Sequence, residues 1–306
     1  MVSLGAGIGH PVSLPALAGA GLVVGYIAGM FGVGGGFLLT PLLMYGFGVP
    51  APIAVGSALC QKCGTSLASF LKYRHLGLGE PRIDVVMLGG SLIGVDAGTR
   101  LLGYLTRLDR WRVGSGPPVP AVNVILDVLF VVMLSLIAAH TFHDAWSTRG
   151  ADSLDDEQTR PGALVTRIRV PPYVDLPRVG LDRVSVPLLC YLGLLLGLAS
   201  GLMGIGGGVL FMPILLHGFG LSARNAAGTG ILLLFATVVV GTIEQAMRGY
   251  VSLELAMAIL IGSSVGSQLG ALSTLYLPNR TLRFAFSVLV AATVVLIAWD
   301  LIRMLR

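Results

Sequence analysis

The sequence is poor in charged residues. Asp, Glu, Lys and Arg together make up only 11% of its 306 residues, whereas hydrophobic residues make up 55%, and the mean hydropathy is +0.86. A soluble domain carries about 25% charged residues. A soluble globular fold is therefore excluded, since so few charges cannot cover its surface. Long apolar runs with few charges are typical of helices that span a lipid bilayer.

Cysteine and histidine are also scarce. The three cysteines, Cys60, Cys63 and Cys190, lie in apolar stretches and give no disulfide framework. Cys60 and Cys63 form a Cys-x-x-Cys pair, but two thiols are too few for a closed zinc site, and small packing residues are the favoured interpretation. All five histidines fall at segment ends or in loops. We expect no catalytic residue, no cofactor and no metal, so an intramembrane enzyme is the weakest alternative.

Two patterns that would indicate other partners are missing from the sequence. It contains no Gly-x-x-x-x-Gly-Lys-Ser/Thr loop, so any use of ATP would need a separate subunit. It contains no cluster of Lys or Arg with interleaved aromatic residues, so nucleic-acid binding is not expected. The modest net charge of +5 fits loops that face anionic lipid.

Apolar stretches fall into two sets of five. They cover residues 14–33, 37–49, 52–71, 83–106 and 121–139, and then 186–205, 209–221, 225–243, 255–277 and 284–301. The two shortest, of 13 residues each, would cover about 20 Å of a ~30 Å hydrocarbon core, which predicts half-helices. A polar, flexible connection is expected at residues 141–184. We therefore predict an all-α polytopic membrane protein with a first repeat at 1–140 and a second at 185–306.

The two sets are copies of each other. A shift of 172 residues aligns residues 29–98 with residues 201–270 without a gap, with 21 identities in 70 positions. Secondary transporters are commonly built from such repeats, which are often inverted. Inversion needs an odd number of crossings per half, and each half has five crossings or four, depending on how its half-helix is counted. We expect two inverted halves, each with about four long helices and one half-helix.

Each half carries three consecutive glycines inside an apolar segment. They are Gly34, Gly35 and Gly36 in the first half and Gly206, Gly207 and Gly208 in the second. Each glycine destabilises a helix by about 0.8–1 kcal/mol relative to alanine, so the triplets predict helix breaks. Irregular backbone at membrane depth is buried in protein or lines a cavity. The N–H groups freed at the start of the next half-helix suit an anion, and a close helix crossing is the alternative.

Other glycines recur every four residues, as in Gly90-xxx-Gly94-xxx-Gly98 and Gly21-xxx-Gly25-xxx-Gly29. Small residues at this spacing let two transmembrane helices approach closely. We expect these glycines to pack helices rather than to bind a substrate.

A resemblance to a known family follows from the repeated motifs. The doubled Gly-(Met/Leu)-(Phe/Met)-Gly-(Val/Ile)-Gly-Gly-Gly, the proline that follows it (Pro41 and Pro213) and the next Ala-x-Gly-(Ser/Thr) resemble the TauE/SafE family. The resemblance covers nearly the whole chain except its tail and residues 141–184. It implies an integral membrane permease for sulfite, organosulfonates and related sulfur-containing anions, driven by an ion gradient.

Several expectations about partners and location accompany this resemblance. The partners are a small anionic substrate, the lipid bilayer and a coupling ion, either a proton or sodium; a homo-oligomer is left open. The location is the cell membrane, crossed several times, which is the inner membrane in a Gram-negative source. An anion channel is the alternative function. The unusual Cys60-Gln61-Lys62-Cys63 segment and the long central loop leave the exact substrate open.

Lys62 lies near the middle of the apolar stretch 52–71, and its counterpart in the second half is Leu234. A lysine at this depth costs several kcal/mol and faces a cavity or a partner. An ammonium group here would attract an anionic substrate as a point charge. The alternatives are an ion pair with Asp96 or Asp127, or snorkelling of the side chain to the interface.

Ser57 and Thr229 occupy equivalent positions of the repeat. Each hydroxyl can donate a hydrogen bond to an oxyanion or bond to its own helix. Asp96 lies four residues before Arg100, a spacing that favours a helical ion pair. Asp127 lies closer to a segment end and is expected at the interface. The leading function is secondary active transport, with the glycine triplets, Ser57, Lys62 and Thr229 as the anion site.

Overall fold

The computed structural model describes residues 13–31, 36–76, 80–108, 110–111, 119–147, 170–177, 181–219, 229–273 and 279–305. Four of its helical segments are long and apolar enough to cross a membrane: Pro81–Leu105, Ala121–Ala139, Val186–Met203 and Leu253–Gly270. Shorter apolar helices accompany them at Leu14–Met30, Ile231–Met247 and Val288–Trp299. The predicted class, a helical protein with several membrane spans, is confirmed.

The first half contains four long helices and one short helix. They are α1 (Leu14–Phe31), α2 (Gly36–Pro41, continued by a π-helical turn at Leu42–Gly46), α3 (Ala51–Leu76), α4 (Pro81–Leu105) and α5 (Ala121–Ser147). The two-residue strands β1 (Arg110–Trp111) and β2 (Val119–Pro120) pair antiparallel between α4 and α5.

The second half has the same order of helices among the described residues. An antiparallel hairpin of β3 (Tyr173–Leu176) and β4 (Leu181–Ser185) leads into it. The helices are α6 (Val186–Met203), α7 (Gly208–Pro213, continued by a π-helical turn at Ile214–Gly218), α8 (Ile231–Met247), α9 (Leu253–Ser273) and α10 (Asn279–Leu305). The half-helices predicted at 37–49 and 209–221 correspond to α2 and α7 with their π-helical turns.

Residues 141–184, expected to form one polar connection, contain two ordered parts. Helix α5 continues to Ser147, and the β3–β4 hairpin precedes α6. Leu176 and Val184 of the hairpin are fully buried and belong to a cluster with Ile83, Met87 and Leu189. The hairpin therefore packs its apolar side chains on the membrane helices, which the charge-rich sequence of this segment did not predict. Residues 148–169 lie outside the described residues.

Glycines spaced four residues apart hold the two halves together. A Cβ atom on Gly21, Gly25 or Gly29 of α1 would overlap the α9 backbone, and one on Gly90, Gly94 or Gly98 of α4 would overlap the α6 backbone. The backbones approach so closely only because these residues lack a side chain, and the predicted packing role is confirmed. Each of these helix pairs joins one helix from each half.

The direction of each pair follows from its contacts. Along α1, the contacted residues of α9 advance from Ile259 to Ser263 to Ser267. Along α4, the contacted residues of α6 advance from Cys190 to Leu194. Because the residue numbers rise together, α1 runs parallel to α9, and α4 runs parallel to α6.

Candidate functional site

The second glycine triplet lies at an interruption between two helices, as predicted. Helix α6 ends at Met203 and α7 begins at Gly208. Between them Gly204, Gly206 and Gly207 have φ values of 71°, 72° and 78°. This left-handed region is open to glycine at little steric cost. The break is buried, so its irregular backbone lies inside the protein, as irregular backbone at membrane depth must.

The break leaves several backbone donors free. Within the described part of the chain, the N–H groups of residues 205–209 donate to no backbone or side-chain acceptor, whereas the N–H of Gly204 bonds to the Ser200 carbonyl at 2.9 Å. Successive N–H groups around left-handed residues form a concave site suited to an anion. In the first half, Gly34 and Gly35 lie outside the described residues, and Gly36 is the first residue of α2.

Lys62 of α3 reaches the glycine break of the other half. Its side chain is 1% exposed, and its Nζ donates to the Gly204 carbonyl oxygen at 3.3 Å. A Cβ atom on Gly206 would lie only 2.7 Å from this Nζ. The structure therefore brings together two of the predicted features, the lysine of one half and the glycine triplet of the other.

The alternative roles predicted for Lys62 are wrong. Asp96 instead pairs with Arg100 at 2.8 Å, as expected for that spacing, and this is the only ion pair among the described residues. Asp127 is fully buried within the protein and accepts a hydrogen bond from the Tyr45 hydroxyl. Snorkelling is excluded as well, because the ammonium group is buried.

Three further buried polar side chains surround the break. Thr40 Oγ1, Ser200 Oγ and Gln245 Oε1 have no hydrogen-bond partner among the described residues, and all three side chains are fully buried. A buried polar atom without a partner costs about 1–3 kcal/mol, so native structures satisfy nearly all of them with protein or water.

Each of these three residues lies against the α6 end of the break. A Cβ atom on Gly204 would lie 3.0 Å from Thr40 Oγ1. The Ser200 carbonyl accepts the Gly204 N–H, and the Gln245 amide donates to the Gly201 carbonyl at 3.3 Å. Together with Lys62 and residues 204–207 they form what we call the glycine-break site. Sequence analysis missed all three.

A small cavity of about 20 Å³ borders this site. It is lined by Ser91, Leu196, Gly206, Gly207, Phe211, Gly230, Leu233, Leu234 and Thr237. Its polar side chains, Ser91 and Thr237, hydrogen-bond to each other at 2.5 Å. A cavity of this size has room for about one water molecule, so it is too small for a sulfite or sulfonate group in this conformation.

Ser57 and Thr229 cap helices across the two halves. Ser57 Oγ accepts the N–H of Ser252, just before α9, at 3.0 Å. Thr229 Oγ1 accepts the N–H of Glu80, just before α4, at 2.9 Å. Ser252 and Glu80 are themselves related by the 172-residue shift. The alternative of bonding to the residue's own helix is therefore wrong, and each hydroxyl fixes the start of a helix, as N-cap side chains do.

Asp84 is a further residue that the sequence analysis did not single out. It is 2% exposed, and its Oδ1 accepts the N–H of Gly230 at 2.6 Å, at the start of α8. Its repeat counterpart is Ala256. A carboxylate at a helix N-terminus satisfies free N–H groups and complements the helix dipole. Asp84 thus ties the start of α4 to that of α8.

The chain matches a family of membrane proteins and several probable membrane transporters over nearly its whole length. Residues 17–297 match the family described as sulfite exporter TauE/SafE. A probable membrane transporter protein of Xylella fastidiosa (strain Temecula1) is 26% identical over 94% of this chain and 95% of its own. The probable membrane transporter protein YdhB of Bacillus subtilis is 23% identical over 86% of this chain and 91% of its own.

A third relative, a probable membrane transporter protein of Haemophilus influenzae, is 27% identical over 87% of this chain and 91% of its own. No solved structure matches the chain significantly. The matches with the family and with these relatives therefore extend over both halves of the chain.

Proposed function

The chain belongs to the sulfite exporter TauE/SafE family, and from that premise we propose that it is a secondary active carrier for a sulfur-containing anion such as sulfite or an organosulfonate. The observation that carries the proposal is the buried ammonium group of Lys62 at the glycine break of the opposite half. In this proposal the carrier works in the cell membrane. Its relatives' names and its apolar helices support a protein that crosses a membrane several times.

The chemistry of the glycine-break site supports an anionic substrate. The ammonium group has one carbonyl partner at 3.3 Å, and the N–H groups of residues 205–209 point to no acceptor among the described residues. The free hydroxyls of Thr40 and Ser200 add two more donors. Several donors around one positive charge match the several acceptor oxygens of a sulfite or sulfonate group.

Ser57 and Thr229 take a positioning role in this proposal. Their oxygens accept backbone N–H groups at the starts of α9 and α4. We expected them to donate to the anion, and their O–H groups stay available for that. Their main contribution is to hold the helix starts of each half in register with the other half, so that Lys62 faces the break.

The small size of this cavity supports a carrier rather than a channel. A channel needs a continuous path, whereas the space beside Gly206 and Gly207 is about 20 Å³, room for about one water molecule. Substrate must therefore enter through a rearrangement that opens the site. Rocking of one half against the other around a central site is the usual form of such a change in repeat-built transporters.

We propose further that the two halves are inverted, and the helix directions support this. Helix α3 runs antiparallel to α8, since Gly56 lies against Gln245 and Gly241 against Leu59. It runs parallel to α9, since Ser57 bonds to Ser252 and Gln61 to Ser263. Helices α8 and α9 therefore run antiparallel to each other. Helix α4 runs parallel to α8, because Ser91 contacts Thr237 and Thr99 contacts Glu244. Helix α1 is parallel to α9, and α6 is parallel to α4. Therefore α1 and its counterpart α6 point in opposite directions.

Cysteine labelling tests the inversion. Arg82 and Glu254 are exposed, equivalent residues at the starts of α4 and α9. In a variant whose native cysteines are replaced, Arg82→Cys and Glu254→Cys are expected to react with an impermeant maleimide from opposite sides of the membrane. Labelling of both from the same side would contradict inversion and indicate a parallel repeat.

Transport assays in proteoliposomes test the function itself. We expect saturable counterflow of at least one anion among sulfite, thiosulfate, sulfoacetate, taurine and sulfate, with uptake that collapses when the proton or sodium gradient is removed. The gradient is removed with an ionophore selective for protons or for sodium, and the one that abolishes uptake identifies the coupling ion. Large unitary currents in planar bilayers without saturable counterflow would instead establish an anion channel.

A further inference from the structure

A second pocket, different in chemistry from the glycine-break site, opens at the C-terminal end of α8. It has a volume of about 380 Å³ and lies between the end of α4 and the turn from α8 to α9. It is lined by Arg100, Gly103, Tyr104, Arg107, Arg248 and Tyr250. Arg248 lies three residues beyond Gln245 of the glycine-break site, but none of the lining residues belongs to that site. We call this space the arginine pocket.

The arginine pocket carries uncompensated positive charge. Of its three guanidinium groups, only that of Arg100 has a carboxylate partner, Asp96. Arg107 and Arg248 form no ion pair within the described part of the chain. Three cations converge on one space only at an electrostatic cost, which a bound anion would remove.

Arg248 gives a second, independent indication of a ligand. Its Nη1 is buried and has no hydrogen-bond partner among the described residues. Its side chain lies over Gly103, where a Cβ atom would be 3.7 Å from the Arg248 Cδ and Nε atoms. The side chain as a whole is half-buried, and a buried donor atom without a partner is unfavourable. The guanidinium group thus lines the pocket with one nitrogen that no acceptor among the described residues satisfies.

The surrounding residues suit a phosphate group at the membrane surface. The planar fork of arginine matches two oxygens of one phosphate. Tyr104 is 64% exposed, and the Tyr250 hydroxyl lies 3.1 Å from Thr106 Oγ1; tyrosines of this kind are enriched where the bilayer meets water. Basic pockets between transmembrane helices bind lipid headgroups.

The other half of the repeat carries different side chains near the equivalent helix ends. Under the 172-residue shift, Arg248 corresponds to Leu76 and Arg100 to Leu272. Helices α3 and α9 include these leucines, so a helix at these positions of the repeat does not itself require an arginine.

We propose that the arginine pocket binds a phosphate group, carried by an anionic lipid or by a soluble phosphate compound. The two sources share the ligand chemistry and differ in whether the phosphate is attached to acyl chains.

Thermal unfolding of the purified full-length chain in detergent micelles tests this proposal. The probes are inorganic phosphate, phosphatidylglycerol in mixed micelles, and diacylglycerol with the same acyl chains as a lipid control without phosphate. We expect at least one phosphate-bearing probe to raise the melting temperature saturably, and diacylglycerol to leave it unchanged. A response to phosphatidylglycerol alone identifies a lipid, and a response to inorganic phosphate as well identifies a soluble compound.

Arginine substitutions inside and outside the pocket test whether the rise in melting temperature comes from binding at the arginine pocket. Arg107→Gln/Arg248→Gln is expected to weaken the apparent affinity for the active probe at least tenfold. Arg183→Gln removes one charge from an exposed arginine of β4 outside the pocket and is expected to change that affinity less than twofold. If the double variant is not monodisperse, Arg107→Gln alone serves, because Arg107 is exposed. No response to either phosphate probe, or equal affinities in pocket and control variants, would overturn the proposal.

Discussion

Replacing Lys62 by methionine is expected to weaken binding of the transported anion about 5- to 150-fold, or ~1–3 kcal/mol, the range for hydrogen bonds to charged groups. Methionine keeps most of the side chain's length and removes only the charge and its donors. The protein should be at least as stable as the wild type, because a costly buried cation is removed and no carboxylate among the described residues loses a partner.

The charge of the substrate provides a second readout for Lys62→Met. The Coulomb attraction scales with substrate charge, so affinity for a dianion such as thiosulfate should fall more than affinity for a monoanionic sulfonate. Lys62→Arg keeps a positive charge and should retain more affinity than Lys62→Met. Affinity and melting temperature are measured on the same preparations. An unchanged affinity combined with a large drop in melting temperature would mean that Lys62 is structural.

Local features of the sequence predicted the architecture well. Apolar length predicted the long helices and the two short ones, because the bilayer sets a minimum span. Consecutive glycines predicted the break before Gly208, because glycine weakens a helix through its backbone entropy. The four-residue spacing of Gly90, Gly94 and Gly98 predicted close helix packing, although it could not identify α6 as the partner of α4.

The members of the site were harder to predict, because they come together only through contacts between the halves. Thr40, Ser200 and Gln245 are single polar residues in or beside apolar stretches, and nothing local distinguishes them from polar residues that bond within their own helix. Lys62 was found because a charge at mid-membrane depth is expensive. Asp84 lies at a helix start, where a carboxylate commonly caps its own helix. Its hydrogen bond to the other half could not be predicted from the sequence.

The contact between Lys62 and the glycine break predicts a difference between two neighbouring glycines. Gly206 and Gly207 both have positive φ values, 72° and 78°. Alanine at either position therefore carries a similar strain, about 1–2 kcal/mol for a residue with a Cβ atom in the left-handed region. Their surroundings differ: a Cβ atom on Gly206 would lie 2.7 Å from Lys62 Nζ and 2.9 Å from its Cδ, whereas one on Gly207 would meet only the Leu196 carbonyl, at 4.0 Å.

Gly206→Ala is therefore expected to displace the ammonium group and reduce uptake at least tenfold, while Gly207→Ala keeps a larger share of the wild-type rate. Both variants should lose a similar amount of stability, since their backbone strain is alike. Initial uptake rates in proteoliposomes, normalised to the reconstituted protein, and melting temperatures in detergent measure the two effects separately. Adding Lys62→Met to each variant tests the cause: it should add little to Gly206→Ala, whose ammonium group is already displaced, and much to Gly207→Ala. Equal losses of transport in the two alanine variants would show that backbone strain alone, and not the position of Lys62, limits transport.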